Sequence, residues 1–147
     1  MSPSLRDQLL QTAHAYLDAH NNRDSDGILG FCAPACIHRA GPPTVKSPDR
    51  NNEEYASFNV EVFKVLHTYL ATITDAVVDD VSKKVVLSVE AKATADAGEY
   101  ENEYVILLKM TEDGKQVVEQ YDFVDSHRMI EWMGKLGEFA QETWEKK

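Results

Sequence analysis

The chain reads as an α+β domain with helices packed on one face of an antiparallel sheet, and three observations predict it. Apolar residues recur at helical spacing near both ends, whereas the stretch between them alternates with period two. Four β-rich runs, 70 to 79, 84 to 94, 99 to 111 and 116 to 124, have connections too short for a crossover helix, so they form an antiparallel meander. Glu112-Asp113-Gly114-Lys115 joins the last two runs. Asp-Gly there signals a hairpin, because both central residues of a type I′ turn need a positive φ.

The elements follow in order. Over residues 4 to 20, Leu5, Leu9, Ala13, Tyr16 and Leu17 make the stripe of an amphipathic helix that Ser4 can cap. A short helix around Ile28 to Cys32 is stopped by Pro34, since the residue before proline is pushed out of the helical region. Residues 35 to 39 read as a short strand, and 40 to 50, with three of the five prolines, as a loop or lid. A third helix runs from Asn52 to His67 with Asn51 or Asn52 as cap; its stripe is Tyr55, Phe58, Val62, Val65 and Tyr69. After the strands, a last helix from Ser126 to about Trp144 carries Met129, Trp132, Met133, Leu136, Phe139 and Ala140 at helical spacing.

Register decides which side chains share a face. If the Asp-Gly turn has two residues, Glu112 pairs with Lys115, Asp122 lies opposite Val105, and Glu103 shares a face with Asp122. A bulge would instead turn Glu119, Tyr121 and Phe123 inward.

Composition bounds the function. A length of 147 residues suits one core, so residues 1–147 are read as a single domain. A net charge of −10 argues against nucleic acid and anionic membranes as partners, both of which need clustered Lys and Arg. No apolar run approaches the ~20 residues that span a bilayer. Arg6 and Asp7 stand where a signal peptide would be apolar. The expectation is a soluble, cytoplasmic protein. Cys32 and Cys36 lack the C-x-x-C spacing, and the five histidines are scattered, so the thiols read as small buried hydrophobes and no metal is expected. There is no Gly-rich phosphate loop and no G-x-S-x-G elbow.

The element order, with LRDQLL at 5 to 10, AYLDAHN at 15 to 21, CIHR at 36 to 39, NNEEY at 51 to 55, YENEY at 100 to 104 and TEDGKQVVEQYDFVDSHRMIEW at 111 to 132, resembles the NTF2-like (SnoaL-like) superfamily. Among its members it is most similar to the fungal meroterpenoid-pathway isomerases of the terretonin and austinol type. The resemblance implies a cone-shaped cavity between sheet and helices, with apolar walls and a few acids and donors at its base. It implies a cofactor-free isomerase or cyclase that rearranges a hydrophobic polycyclic terpenoid-polyketide intermediate by proton transfer. A dehydratase, an epoxide hydrolase and a non-catalytic binding module are the alternatives within the superfamily. It also implies a homodimer, to which the strands add apolar residues on both parities, more than one packed face needs.

Three residues are read as catalytic. Asp122, in Asp122-Phe123-Val124-Asp125, is a general acid or base if it faces the cone and a solvent acid if it does not. Glu61 lies three residues after Phe58 and four before Val65, against the apolar stripe, and is read as the general base; the alternative is an edge acid paired with Lys64 or Arg50. Arg39 could hold a substrate carbonyl or carboxylate, or else form a surface ion pair. His38, Phe58, Asn102, Tyr104 and Tyr121 are read as substrate-binding, with alternation admitting either Glu103 or the Asn102–Tyr104 pair to the cavity.

Overall fold

The computed structural model describes residues 3–137, and within them the chain runs α1 (Leu5–Asn21), α2 (Ser25–Gly30), β1 (Cys32–Gly41), a 3₁₀ turn (Pro43–Val45), α3 (Asn52–Val65), β2 (Leu66–Asp79), β3 (Lys84–Ala95), β4 (Gly98–Met110), β5 (Val117–Val124) and α4 (Ser126–Leu136). The α+β expectation holds, with one enlargement. The short strand expected at 35 to 39 is a ten-residue edge strand, paired in parallel with β5 in a five-stranded sheet of order β1-β5-β4-β3-β2. Pro34 is tolerated inside it because an edge strand has one unpaired side. The second helix ends at Gly30, before Pro34 can act, and the third gives way at Leu66, so that His67 already lies in β2. Phe139, Ala140 and the stretch of the last helix toward Trp144 lie outside the described residues.

Caps fix the helix ends. The Ser4 side chain accepts from Asp7 N–H, and Asp125 accepts from His127 and Arg128 N–H. At α3, Asn51 and Glu54 form a reciprocal capping box, which leaves the neighbouring Asn52 side chain for other work. The core under α1 gathers Leu9, Ala13, Tyr16, Ile28, Val85, Leu87, Leu108 and Val117, all nearly solvent-free. Gly114, at φ 72° in the β4–β5 loop, lies so close to α1 that a Cβ there would meet Leu9 Cδ2 at 3.2 Å.

The β4–β5 connection corrects the expected register. Glu112 and Lys115 do not pair; they belong to a four-residue loop closed by the Thr111 N–H on the Gln116 carbonyl. Met110 faces Val117, but Lys109 then faces Glu119, so Val118 is an extra residue in β5. Beyond this bulge Asp122 lies opposite Ile106 and not Val105. The inward parity of β4 is Asn102, Tyr104, Ile106 and Leu108, so the bulge brings Gln120, Asp122 and Val124 to the helix side. Glu103, expected beside Asp122, is exposed on the opposite face with Val105, Tyr121 and Phe123.

Candidate active site

Between the sheet and α1, α3 and α4 lies a cavity of about 170 Å³. Its walls are mostly apolar: Phe58, Val62 and Phe63 from α3, Leu87, Ile106, Leu108 and Val124 from the sheet, and Met129 and Trp132 from α4. Tyr16, His20, His38, Arg50, Tyr55, Asn59, Tyr104, Gln120 and Asp122 supply its polar groups. Asp122 is the single carboxylate among the described residues that line it. Burial raises its pKa to about 6, against the lowering effects of its bond to Gln120 and of nearby His38.

Gln120 organises the polar end. Its Nε2 donates to both oxygens of Asp122, at 3.0 and 3.2 Å, and to Tyr55 Oη at 3.3 Å. Its Oε1 therefore faces the other way, accepting from Tyr16 O–H at 2.6 Å and from His38 Nδ1–H at 2.9 Å. His38 Nε2 meets Asn52 Oδ1 at 2.9 Å, and Asn52 is oriented by donating through Nδ2 to the Ala33 carbonyl at 2.9 Å. Both ring nitrogens of His38 thus face amide oxygens, an arrangement that favours the protonated ring. Burial alone would push the pKa of His38 down; its bonds to Cys32, Asn52 and Gln120 outweigh that and hold it above the ordinary histidine value. The ring stacks on Tyr55 at 3.8 Å.

His20 is the opposite case. Burial lowers its pKa to about 4, so it is neutral. Its Nδ1 donates to the Tyr16 carbonyl at 2.8 Å, leaving Nε2 to accept from Tyr55 O–H at 2.7 Å. Tyr55 Oη is therefore committed. A second hydroxyl pair, Tyr100 and Tyr104 at 2.7 Å, lines the wall near Trp132. Asn59, only 6% exposed, borders the cavity beside Tyr55; its Nδ2 makes no close hydrogen bond among the described residues and interacts with the Tyr55 hydroxyl only at longer range. A buried donor without a close partner is rare enough to need a reason.

The sequence-predicted residues divide. Asp122, His38, Phe58 and Tyr104 line the cavity together. Glu61 does not: its side chain is half exposed and bonded to Lys64 Nζ at 3.0 Å. The inward axis of α3 runs through Tyr55 and Asn59, and two residues further on is about 200° around a helix, so Glu61 points outward. Arg39 borders the cavity, but its guanidinium pairs on the outer face with Glu119 at 3.1 Å and Asp49 at 3.7 Å, over the Tyr121 ring. Arg50 is a further cation at the wall, held by paired backbone bonds to His38 and stacked 4.1 Å over Phe58. Tyr121 is on the outer face, removed there by the Val118 bulge. Asn102 sits behind the wall, donating to Tyr100 Oη at 2.7 Å and to the Asp125 carbonyl at 3.1 Å. Gln120, Asn59, Arg50, Asn52 and His20 escaped the sequence reading. The available signal was Asn59 itself, an amide between Tyr55 and Val62 at helical spacing.

No family model matches the chain. Over 140 residues it is 31% identical to the austinoid biosynthesis clusters protein H of Penicillium brasilianum, covering 92% of this chain and 95% of that one. The chain belongs to this family of austinoid biosynthesis cluster proteins. Its fold is that of the NTF2-like superfamily. The crystal structure of the pinacolase BvnE from Penicillium brevicompactum superposes with a TM-score of 0.87 at 25% identity, over 90% of this chain and 96% of that one. An NTF2-like protein from Burkholderia pseudomallei, 18% identical, shares the fold with a TM-score of 0.72 over 89% and 97% of the two chains. The NTF2-like cone is thus the cavity described above, and Asp122 lies in its wall. No helix among the described residues is long and apolar enough to cross a membrane.

Proposed function

We propose that the protein is an isomerase or cyclase that rearranges a hydrophobic, polycyclic meroterpenoid intermediate by proton transfer, without a cofactor taking part in the reaction. The observation that carries the reading is Asp122: the one carboxylate among the described residues of an apolar cavity, oriented by Gln120, its pKa raised by burial to about 6. Near neutrality such a group can take a proton in one step and return it in the next. In the proposed sequence a substrate carbonyl accepts from Asn59 Nδ2–H. Asp122 removes a proton from the adjacent carbon, and the enolate formed is reprotonated by the Asp122 carboxylic acid at another position. Arg50 adds a positive field at the same wall. His38 and Gln120 act as positioning residues for Asp122.

The substrate class is supported by the names of the austinoid relatives, and ring rearrangement by the pinacolase neighbour. A dehydratase or epoxide hydrolase that works with two acids gains nothing from a wall whose described residues hold one carboxylate. A second copy of the chain is proposed to cover the outer sheet face, where Ile37, Val105 and Phe123 are 39%, 39% and 47% exposed around Tyr121. The test is incubation with ring-fused meroterpenoid intermediates in D₂O, comparing wild type, Asp122→Asn and Glu61→Ala. Turnover and deuterium uptake should vanish in Asp122→Asn and persist in Glu61→Ala. Full activity in Asp122→Asn would overturn the reading.

A further inference from the structure

A regular strand puts residues i and i+4 about 13 Å apart, too far for their side chains to meet one ligand. In β1 the pairing with β5 jumps from Cys32 opposite Val117 to Ile37 opposite Glu119, five residues against two. The intervening residues leave the ladder as a wide bulge, tied by Asn52 Nδ2 to the carbonyls of Ala33 at 2.9 Å and Pro34 at 3.4 Å. This folding back closes what the spacing left open. The Sγ atoms of Cys32 and Cys36 and a ring nitrogen of His38, all from buried residues, lie within 4.8 Å of one another. The scattered histidines of the sequence therefore include one that is clustered with both thiols.

We propose that Cys32, Cys36 and His38 form a buried structural zinc site in this protein. Zinc binds thiolate at about 2.3 Å and imidazole at about 2.0 Å, which sets tetrahedral donors about 3.5 to 3.8 Å apart. Cys32 Sγ and His38 Nε2 are 3.9 Å apart, and the widest separation needs to close by about 1 Å. Two thiolates neutralise the dication, so the loaded site brings no net charge into the interior. The outer support is present: His38 donates from Nδ1 to Gln120 Oε1, the second bond that fixes a ligating imidazole and turns Nε2 toward the metal. Asn52 Oδ1, 2.9 Å from Nε2, offers an oxygen for a fourth position. On binding, zinc replaces the Nε2 proton of His38 and any protons on the two thiols, all released to solvent, as Zn–N and two Zn–S bonds form. Neither cysteine borders the cavity. The ion therefore anchors the β1 bulge and, through His38 and Gln120, the carboxylate of the active site; it takes no part in proton transfer.

The experiment uses the full chain purified without a metal-affinity step. Metal content is measured by mass spectrometry, and the chelator-treated protein is titrated with Zn²⁺ and with Co²⁺, reading the thiolate-to-cobalt charge-transfer and tetrahedral ligand-field bands. One ion per chain is expected, with affinity at least tenfold weaker in Cys32→Ala and Cys36→Ala and no charge-transfer band in the double variant. Circular dichroism checks that each variant is folded, and thiol alkylation should slow when wild type is loaded. The proposal is overturned by a cobalt spectrum unchanged in folded variants, by substoichiometric zinc, or by a Cys32–Cys36 disulfide as the stable form.

Discussion

Replacing Asp122 by Asn should make the protein more stable above pH 6 while removing its activity. Burial raises the carboxyl from 3.8 to about 6, roughly two pH units, and each unit corresponds to about 1.4 kcal/mol, so ionised Asp122 costs about 3 kcal/mol in the native state. The native pKa lies above the unfolded one, so the native state keeps a proton that the unfolded chain has released. Stability from this group is full below pH 4, falls as pH rises through 6, and the whole cost is present at pH 8. Asparagine keeps an oxygen for Gln120 Nε2 but never ionises. At 2 to 4 °C per kcal/mol for a domain of this size, the variant should melt about 6 to 12 °C above wild type at pH 8. The difference should shrink toward zero at pH 3.5. Thermal unfolding followed by circular dichroism across that range is the assay. A stability difference independent of pH, or a variant destabilised at pH 8, would refute a cavity-facing, proton-binding Asp122.

Further outcomes follow from the same geometry. The activity of wild type should rise with pH through about 6, since the carboxylate is the base; pH–rate profiles read this. Asn59→Leu removes a buried donor that has only a long-range interaction with Tyr55, so the unliganded protein should be about as stable as wild type. Its affinity for a ring ketone such as a steroid enone, followed by tryptophan fluorescence, should fall about tenfold. Gln120→Leu strips partners from Tyr16, His38 and Asp122. It should cost about 2 to 4 kcal/mol in denaturant melts and move the pH–rate midpoint upward, because the lost bond lowers the pKa of Asp122. Phe123→Asp on the outer face should convert a dimer to a monomer in light scattering.

Local patterns carried most of the fold. Helical spacing placed α1, α3 and α4, and the short connections placed the meander, because both depend on near neighbours in the chain. The site was legible only where parity is local. Phe58 and Asp122 were found, the latter by a route the structure replaces: a bulge exists, and it turns Asp122 inward, where a bulge was expected to turn it out. Glu61 failed because the stripe of α3 was drawn through Phe58 and Val65, when its buried centre is Tyr55 and Asn59. Polar residues can hold the centre of a helix face when that face borders a cavity. Arg39 and Arg50 exchanged roles for a long-range reason: the backbone bridge between His38 and Arg50 is set by tertiary folding.

Val118 behaves within β5 like a single-base insertion in a reading frame. Everything after it is read on the other face, so one residue, itself bordering neither substrate nor catalyst, assigns Asp122 to the interior and Tyr121 and Phe123 to the exterior. Drawing Val118 into the ladder opposite Lys109 would re-pair Asp122 with Val105, exporting the acid and importing two aromatic rings into a cavity of about 170 Å³, whereas deleting it leaves Asp122 opposite Ile106 and only straightens the strand. A descendant with a different chemistry would therefore need to lose the bulge but not the residue, since the same β5 sequence would then present the opposite set of side chains to the cavity.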